Sequence, residues 1–170
     1  MARSVFFSFH YQRDIWRVNV VRNHFLTRGG YNSAGYWDHS LWEEVKRDGE
    51  LALKRLINKG LEGTTITVVL IGTETSQRRW VNYEIEKSLE RGNGMLGIYI
   101  HNISNRQGQK DYQGANPFED FTIEKAGNFS YMANTRVQLS SLYPTYDWVF
   151  DNGYNNFNPW VEDAAKVAGK

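Results

Sequence analysis

"TTITVVLIG", residues 64–72, decides how the chain is read. Its run from Ile66 to Ile71 is apolar on both faces apart from Thr67, and most of its residues are β-branched. A half-buried strand alternates apolar and polar residues. A strand apolar on both faces must be covered from both sides, as the central strand of a parallel sheet is by its crossover helices. The flanking sequence supplies the covers. Upstream, "DGELALKRLINKGLEG" (48–63) sets Leu53, Leu56 and Ile57 at helical spacing, with Gly60 placed to cap the end. Downstream, "RRWVNYEIEKSLERG" (78–92), entered through Thr75 or Ser76, carries a stripe of Val81, Ile85 and Leu89. After Gly92 and Gly94, "MLGIYIHNI" (95–103) reads as another strand.

The same alternation opens the chain. "SVFFSF" (4–9) is a short apolar run that fits a buried strand. "RDIWRVNVVRNHFLTRGG" (13–30) places Ile15, Val18, Val21 and Phe25 on one stripe and stops at Gly29 and Gly30. Strands alternating with helices imply right-handed crossovers in an open, doubly wound sheet. Residues 104–142 lose periodicity and turn polar, too long for an ordinary connection, and read as an insertion with irregular or small β structure. "YPTYDWVF" (143–150) returns to the sheet. "NPWVEDAAKVAGK" (158–170) closes with Asn158 as cap, Pro159 at the first helical position, and Trp160, Val161, Ala164 and Val167 facing inward. The expected architecture is α/β: a three-layer open sheet, mostly parallel, with helices on both faces and an irregular insertion near 104–142.

Composition bounds the function. A chain of 170 residues, 41% of them hydrophobic, suits one domain spanning 1–170. A net charge of +1 argues against the electropositive face that nucleic acid would need. The absence of cysteine removes thiolate catalysis, zinc-thiolate sites and disulfides. The N-terminal stretch turns polar too early for a signal peptide, and no apolar run approaches the roughly 20 residues of a membrane span, so a soluble cytoplasmic protein is expected. His10, His24, His39 and His101 show no i, i+4 pairing, and no metal is expected.

In a doubly wound sheet the ligand site lies at the carboxyl ends of the strands. After the first strand stands "HYQRD", with neither a glycine-rich dinucleotide fingerprint nor a P-loop. No nucleophile elbow of the GxSxG type occurs either. What remains is a carboxylate. Trp80, Glu84, Lys87 and Arg91 share a stripe about 100° from the core stripe of their helix, which puts Glu84 at a boundary. It can be read as a solvated partner of Lys87 or Arg91, as Glu86 and Glu90 are. It can also be read as a working group near the ligand-facing edge.

The ordered motifs favour the second reading. "VFFSFHYQRD" resembles the first strand and following loop of a Toll/interleukin-1 receptor (TIR) domain, an apolar strand ending in F-x-S-[FY] with an acid shortly after. "GYWDHSLW" (35–42) resembles the family's second strand and next loop, and "RRWVNYEI" the W-x-x-x-E-[IL] of its catalytic helix. "SLWEE", "VVLIGTETSQRRWVNYEIEKS", "GNGMLGIYIHNI" and "YDWVFDNGYNNF" are similar to the TIR-like proteins of the Thoeris antiphage system, the ThsB group. The fold implied is flavodoxin-like and TIR-like.

The resemblance implies an enzyme that cleaves NAD+, its substrate rather than a bound cofactor, between nicotinamide and ribose. It also implies a cyclic ADP-ribose isomer as a diffusible messenger that activates a ThsA-type effector. Nicotinamide departs as a neutral ring, so one carboxylate can suffice where ordinary glycoside hydrolysis uses two. On this resemblance Glu84 is the catalytic glutamate and Trp80 its buttress. Phe9, His10, Tyr11, Tyr36 and Trp42 are candidates to line the site as aromatic faces suited to a pyridinium cation. Asp38 and Ser40 stand where ribose or phosphate contacts would be made. The competing expectation is a non-enzymatic TIR adaptor acting through self-association or assembly, for which a carboxylate at this position has no use. A flavodoxin-shaped nucleotide-binding domain is disfavoured by the missing phosphate loop.

Overall fold

The computed structural model describes residues 3–27, 31–35, 37, 39–125 and 135–170. Its main sheet holds β1 (Arg3–Phe9), β2 (Tyr31–Ala34), β3 (Ile66–Ile71), β4 (Gly94–Tyr99) and β7 (Thr145–Asp147), in the order β2-β1-β3-β4-β7. Every pairing in it is parallel. Strand β3 is central and buried along its whole length, as its two-faced apolar sequence requires. A two-stranded antiparallel ribbon of β5 (Thr122–Lys125) and β6 (Thr135–Gln138) gives the insertion its small β structure.

The helices divide between two faces. On one face α1 (Tyr11–Thr27) and α5 (Gly153–Val167) cover Val5, Phe7, Val68, Leu70, Leu96 and Ile98. On the other, α4 (Arg79–Glu90) sets Val81 and Ile85 against Val69, Ile71 and Met95, while α3 (Glu50–Leu61) packs Ile57 and Leu61 on Phe6. The short α2 (His39–Arg47) lies against α3. Period-two alternation along β1 thus sends Phe6 and Ser8 toward α3 and α4, and Val5 and Phe7 the opposite way.

Four expectations change. The second strand is Tyr31–Ala34; of "GYWDHSLW", Gly35 bends the chain after it and residues 39–42 open α2, with Gly35 at φ 78°, a turn conformation that ends the strand. Gly60 lies inside α3 and Gly63, at φ 73°, makes the turn beyond it; a Cβ at Gly60 would press on the Trp37 ring. Helix α4 begins at Arg79 after a 3-10 turn over Thr75–Gln77, with Arg78 as N-cap. Helix α5 begins at Gly153, so Pro159 sits inside it; Val161 and Ala164 are buried as expected, but Val167 is 80% exposed. Gly29 and Gly30 fall outside the described residues.

Thr67, the one polar residue of β3, has a clear role. Its hydroxyl shares a 2.7 Å hydrogen bond with Ser88 of α4, and the buried Asn93 amide donates to Thr67 (3.3 Å) and Thr64 (3.0 Å). The network ties α4 to β3 and to the turn before β4. Asn93→Ala removes the donor shared by two buried hydroxyls and is expected to cost about 1–3 kcal/mol, read as a lower urea midpoint at unchanged m.

Candidate active site

The strand order reverses at β1, between β2 and β3, and a crevice opens there at the carboxyl ends. A cleft of about 160 Å³ occupies it. The end of β1 and the turn into α1 contribute Phe7, Phe9, His10, Tyr11 and Gln12; the bend after β2 gives Gly35 and Trp37. Helix α2 adds Trp42 and Lys46, and the start of α4 adds Arg78, Trp80, Val81 and Glu84.

Glu84 is the unusual member, only 5% exposed. Its neighbours Val81 and Ile85 bury themselves on β3, which draws that side of α4 onto the sheet and carries Glu84 inward to meet β1. The Ser8 hydroxyl donates a hydrogen bond to Glu84 Oε2. Among the described residues no cation neutralises the group: Lys87 pairs with Glu90, and Arg91 donates to the Asn58 carbonyl. Burial therefore pushes the Glu84 carboxyl up from 4.5 to about 8, and the Ser8 hydrogen bond opposes that rise. The pairing of Glu84 with Lys87 or Arg91 is thus overturned, while Glu86 and Glu90 are exposed as expected.

The walls are aromatic. Trp37 and Trp42 stack with centroids 5.7 Å apart, Trp37 meets Phe6 edge-on at 5.9 Å, and Phe9 stacks on Tyr11 at 6.0 Å. Trp80 packs edge-on against Tyr83 at 5.9 Å, with the Arg79 guanidinium 5.1 Å above its ring. His10 is held below its ordinary value, first by burial and then by the Arg78 charge, so a neutral imidazole faces the cleft near pH 7. Among the described residues no cluster of side chains is arranged to hold a metal ion.

Of the residues expected at the site, Phe9, His10, Tyr11, Trp42, Trp80 and Glu84 come together in this cleft. Ser40 does not: it lies exposed at the second position of α2, outside the lining. Tyr36 and Asp38 lie outside the described residues. The acid of the first-strand motif, Asp14, is absent from the lining. It is fully buried in the first turn of α1, with its carboxyl against Gly72 and raised to about 6 by burial. Sequence reasoning missed Ser8, Gln12, Trp37, Lys46 and Arg78. Ser8 was within reach of it, two residues from Phe6 on the same face of β1.

Ser8→Ala is expected to move the Glu84 titration above about 8, because the one hydrogen bond favouring its charged form is lost. NMR of 13C-labelled glutamate carboxyls across pH 5–10 reads it. An unmoved resonance would show that the hydroxyl does not hold the group.

An open parallel sheet of this order, with a buried carboxyl on the helix after β3 facing the end of β1, is the frame of a TIR-like domain. The chain belongs to the family described as Thoeris protein ThsB, TIR-like domain, whose family model matches residues 6–105. It is also similar to ThsB1 of Bacillus cereus (strain MSX-D12), whose name gives it provisionally as a cyclic ADP-D-ribose synthase. The two are 44% identical over 191 aligned positions, taking in 95% of this chain and 100% of that protein. No helix among the described residues is long and apolar enough to cross a membrane.

Proposed function

We propose that the protein is an antiphage signalling enzyme that cleaves the nicotinamide–ribose bond of NAD+ and closes the ADP-ribose moiety into a cyclic isomer. The observation that carries this reading is the buried Glu84 carboxyl, with no counter-cation among the described residues, on the floor of an aromatic cleft at the switch point of the sheet. A scaffold has no use for such a group. An incoming pyridinium is the missing cation: it favours the ionised carboxyl and suits the faces of Trp37, Trp42 and Trp80.

As the bond from ribose C1 to the ring nitrogen breaks, its electron pair stays with nicotinamide, which leaves neutral. Positive charge grows on the ribose, and the Glu84 carboxylate stabilises it where water is largely excluded. A nucleophilic group of the same ADP-ribose moiety, held near C1, then closes the ring and loses its proton to solvent. Ser8 holds the carboxylate in place and Trp80 closes one wall. The released product switches on a partner of the ThsA type, itself an NAD-consuming effector.

The test compares wild type and Glu84→Gln in cells exposed to phage, assaying extracts for a small molecule that activates a SIR2-type effector. Activation by wild-type extract and none by the variant is expected. Equal activation by both would remove Glu84 from the reaction.

A further inference from the structure

We propose that Lys46 and Arg78 form a cationic rim that receives the diphosphate of the dinucleotide, so that the enzyme selects NAD+ over nicotinamide ribosides that lack it. This rests on the NAD+ reading of the cleft. Sites that enclose a drug-sized ligand span roughly 300–1,000 Å³, and NAD+ is larger than most such ligands. A cleft of about 160 Å³ therefore takes in only one end of it. Chemistry decides which end. A floor of buried carboxyl and walls of stacked indoles accept a flat cation and its ribose, and would repel a diphosphate on both charge and desolvation.

The diphosphate must then lie where the cleft meets solvent. Two cationic side chains line the cleft at that level, 54% and 42% exposed: Lys46 from the last turn of α2 and Arg78 from the N-cap of α4. Lys46 keeps charge to spare: among the described residues its carboxylate partner is Glu43, at 3.9 Å. Arg78 pairs with Glu74, which Arg13 also reaches while pairing with Asp111, and Arg78 Nε is buried without a hydrogen-bond partner. The first turn of α4 starts at this point with no side-chain cap, and its positive end adds to the same field. An extended diphosphate bridging α2 and α4 would also fix the ribose over Glu84.

The test uses purified protein and two ligands, ADP-ribose, which carries the diphosphate and no scissile nicotinamide, and nicotinamide riboside, which carries the reverse. Titrations are followed by quenching of the tryptophans in the cleft. Lys46→Gln and Arg78→Gln are each expected to weaken ADP-ribose binding about tenfold and leave nicotinamide riboside within about twofold. Glu84→Gln should keep its ADP-ribose affinity, so a failed catalytic reading and a failed rim are told apart. The proposal is overturned if wild type does not bind ADP-ribose, if both variants bind it as tightly as wild type, or if both ligands weaken equally. Lys46 is 54% exposed, so Lys46→Glu reverses the charge at a surface position and is expected to weaken ADP-ribose binding further than Lys46→Gln.

Discussion

Glu84→Gln is expected to lower turnover of NAD+ by about a thousandfold and, in the same molecule, to raise the melting temperature at alkaline pH. The stabilisation follows from burial. Glu84 titrates near 8 in the folded protein against 4.5 as an ordinary glutamate. Between those values the folded chain binds more protons than the unfolded one. Its stability from this group is therefore complete below pH 4.5 and is lost as pH rises through about 8. The gap corresponds to on the order of 5 kcal/mol at the alkaline end. Glutamine never titrates, and its amide oxygen still accepts from Ser8. At about 2–4 °C per kcal/mol for a chain of this size, the variant should melt about 10–20 °C above wild type at pH 8.5, and within about 2–3 °C of it at pH 5. Asp14, also raised, is common to both proteins and cancels. Calorimetry at the two pH values checks the prediction; a variant less stable than wild type at pH 8.5 would mean that the charged carboxylate has a partner. The same titration should appear as a rise of wild-type kcat/KM through about pH 8, since that ratio reports the free enzyme.

Gly114→Ala should be the most damaging small change outside the cleft. A Cβ at this position would overlap the Gly72 carbonyl oxygen and crowd that of Thr73, both backbone atoms that no rotamer change can move. The contact belongs to a seam that presses residues 111–118 onto the end of β3. Within it the Thr73 hydroxyl donates to the Tyr112 carbonyl at 2.6 Å, Arg13 pairs with Asp111 at 3.1 Å, and Arg17 reaches Asp111 at 3.5 Å. Gly72 cannot retreat, because its own Cβ position is filled by the Asp14 carboxyl. Forcing the seam apart is expected to cost about 2–3 kcal/mol, a fall of roughly 5–10 °C in melting temperature. Chemical denaturation at pH 7 measures it, and a loss under about 0.5 kcal/mol would show the seam to be loosely packed.

The sheet was legible because burial on two faces leaves a signature that few other environments produce. Ile66–Ile71 could be little else than a central strand, and the alternation around it dictated parallel pairing. Element starts were harder to read. In α2 only Leu41, Trp42 and Val45 are apolar, too few to signal a helix beside a strand-like "GYW". In α5 the pair Asn158-Pro159 imitates a helix start. The true start uses Asn152 at φ 52° and Gly153, whose absent Cβ admits the Trp148 ring, an arrangement visible only once the two segments meet. At the site, helical spacing could bring Glu84 to a boundary. Its hydrogen-bond partner Ser8 lies 76 residues away on another element, and no local pattern encodes that meeting.

Every described residue that lines the cleft comes from positions 7–84. The later segments support the cleft from behind: Phe157 of α5 packs on Phe7, Phe118 packs with Val81, and the seam at Gly72 and Arg13 holds the segment before the ribbon. Among the described residues the lining is thus supplied by the first half of the chain and backed by the second. Substitutions on the outer face of β5 and β6 are therefore expected to leave the walls of the cleft unchanged.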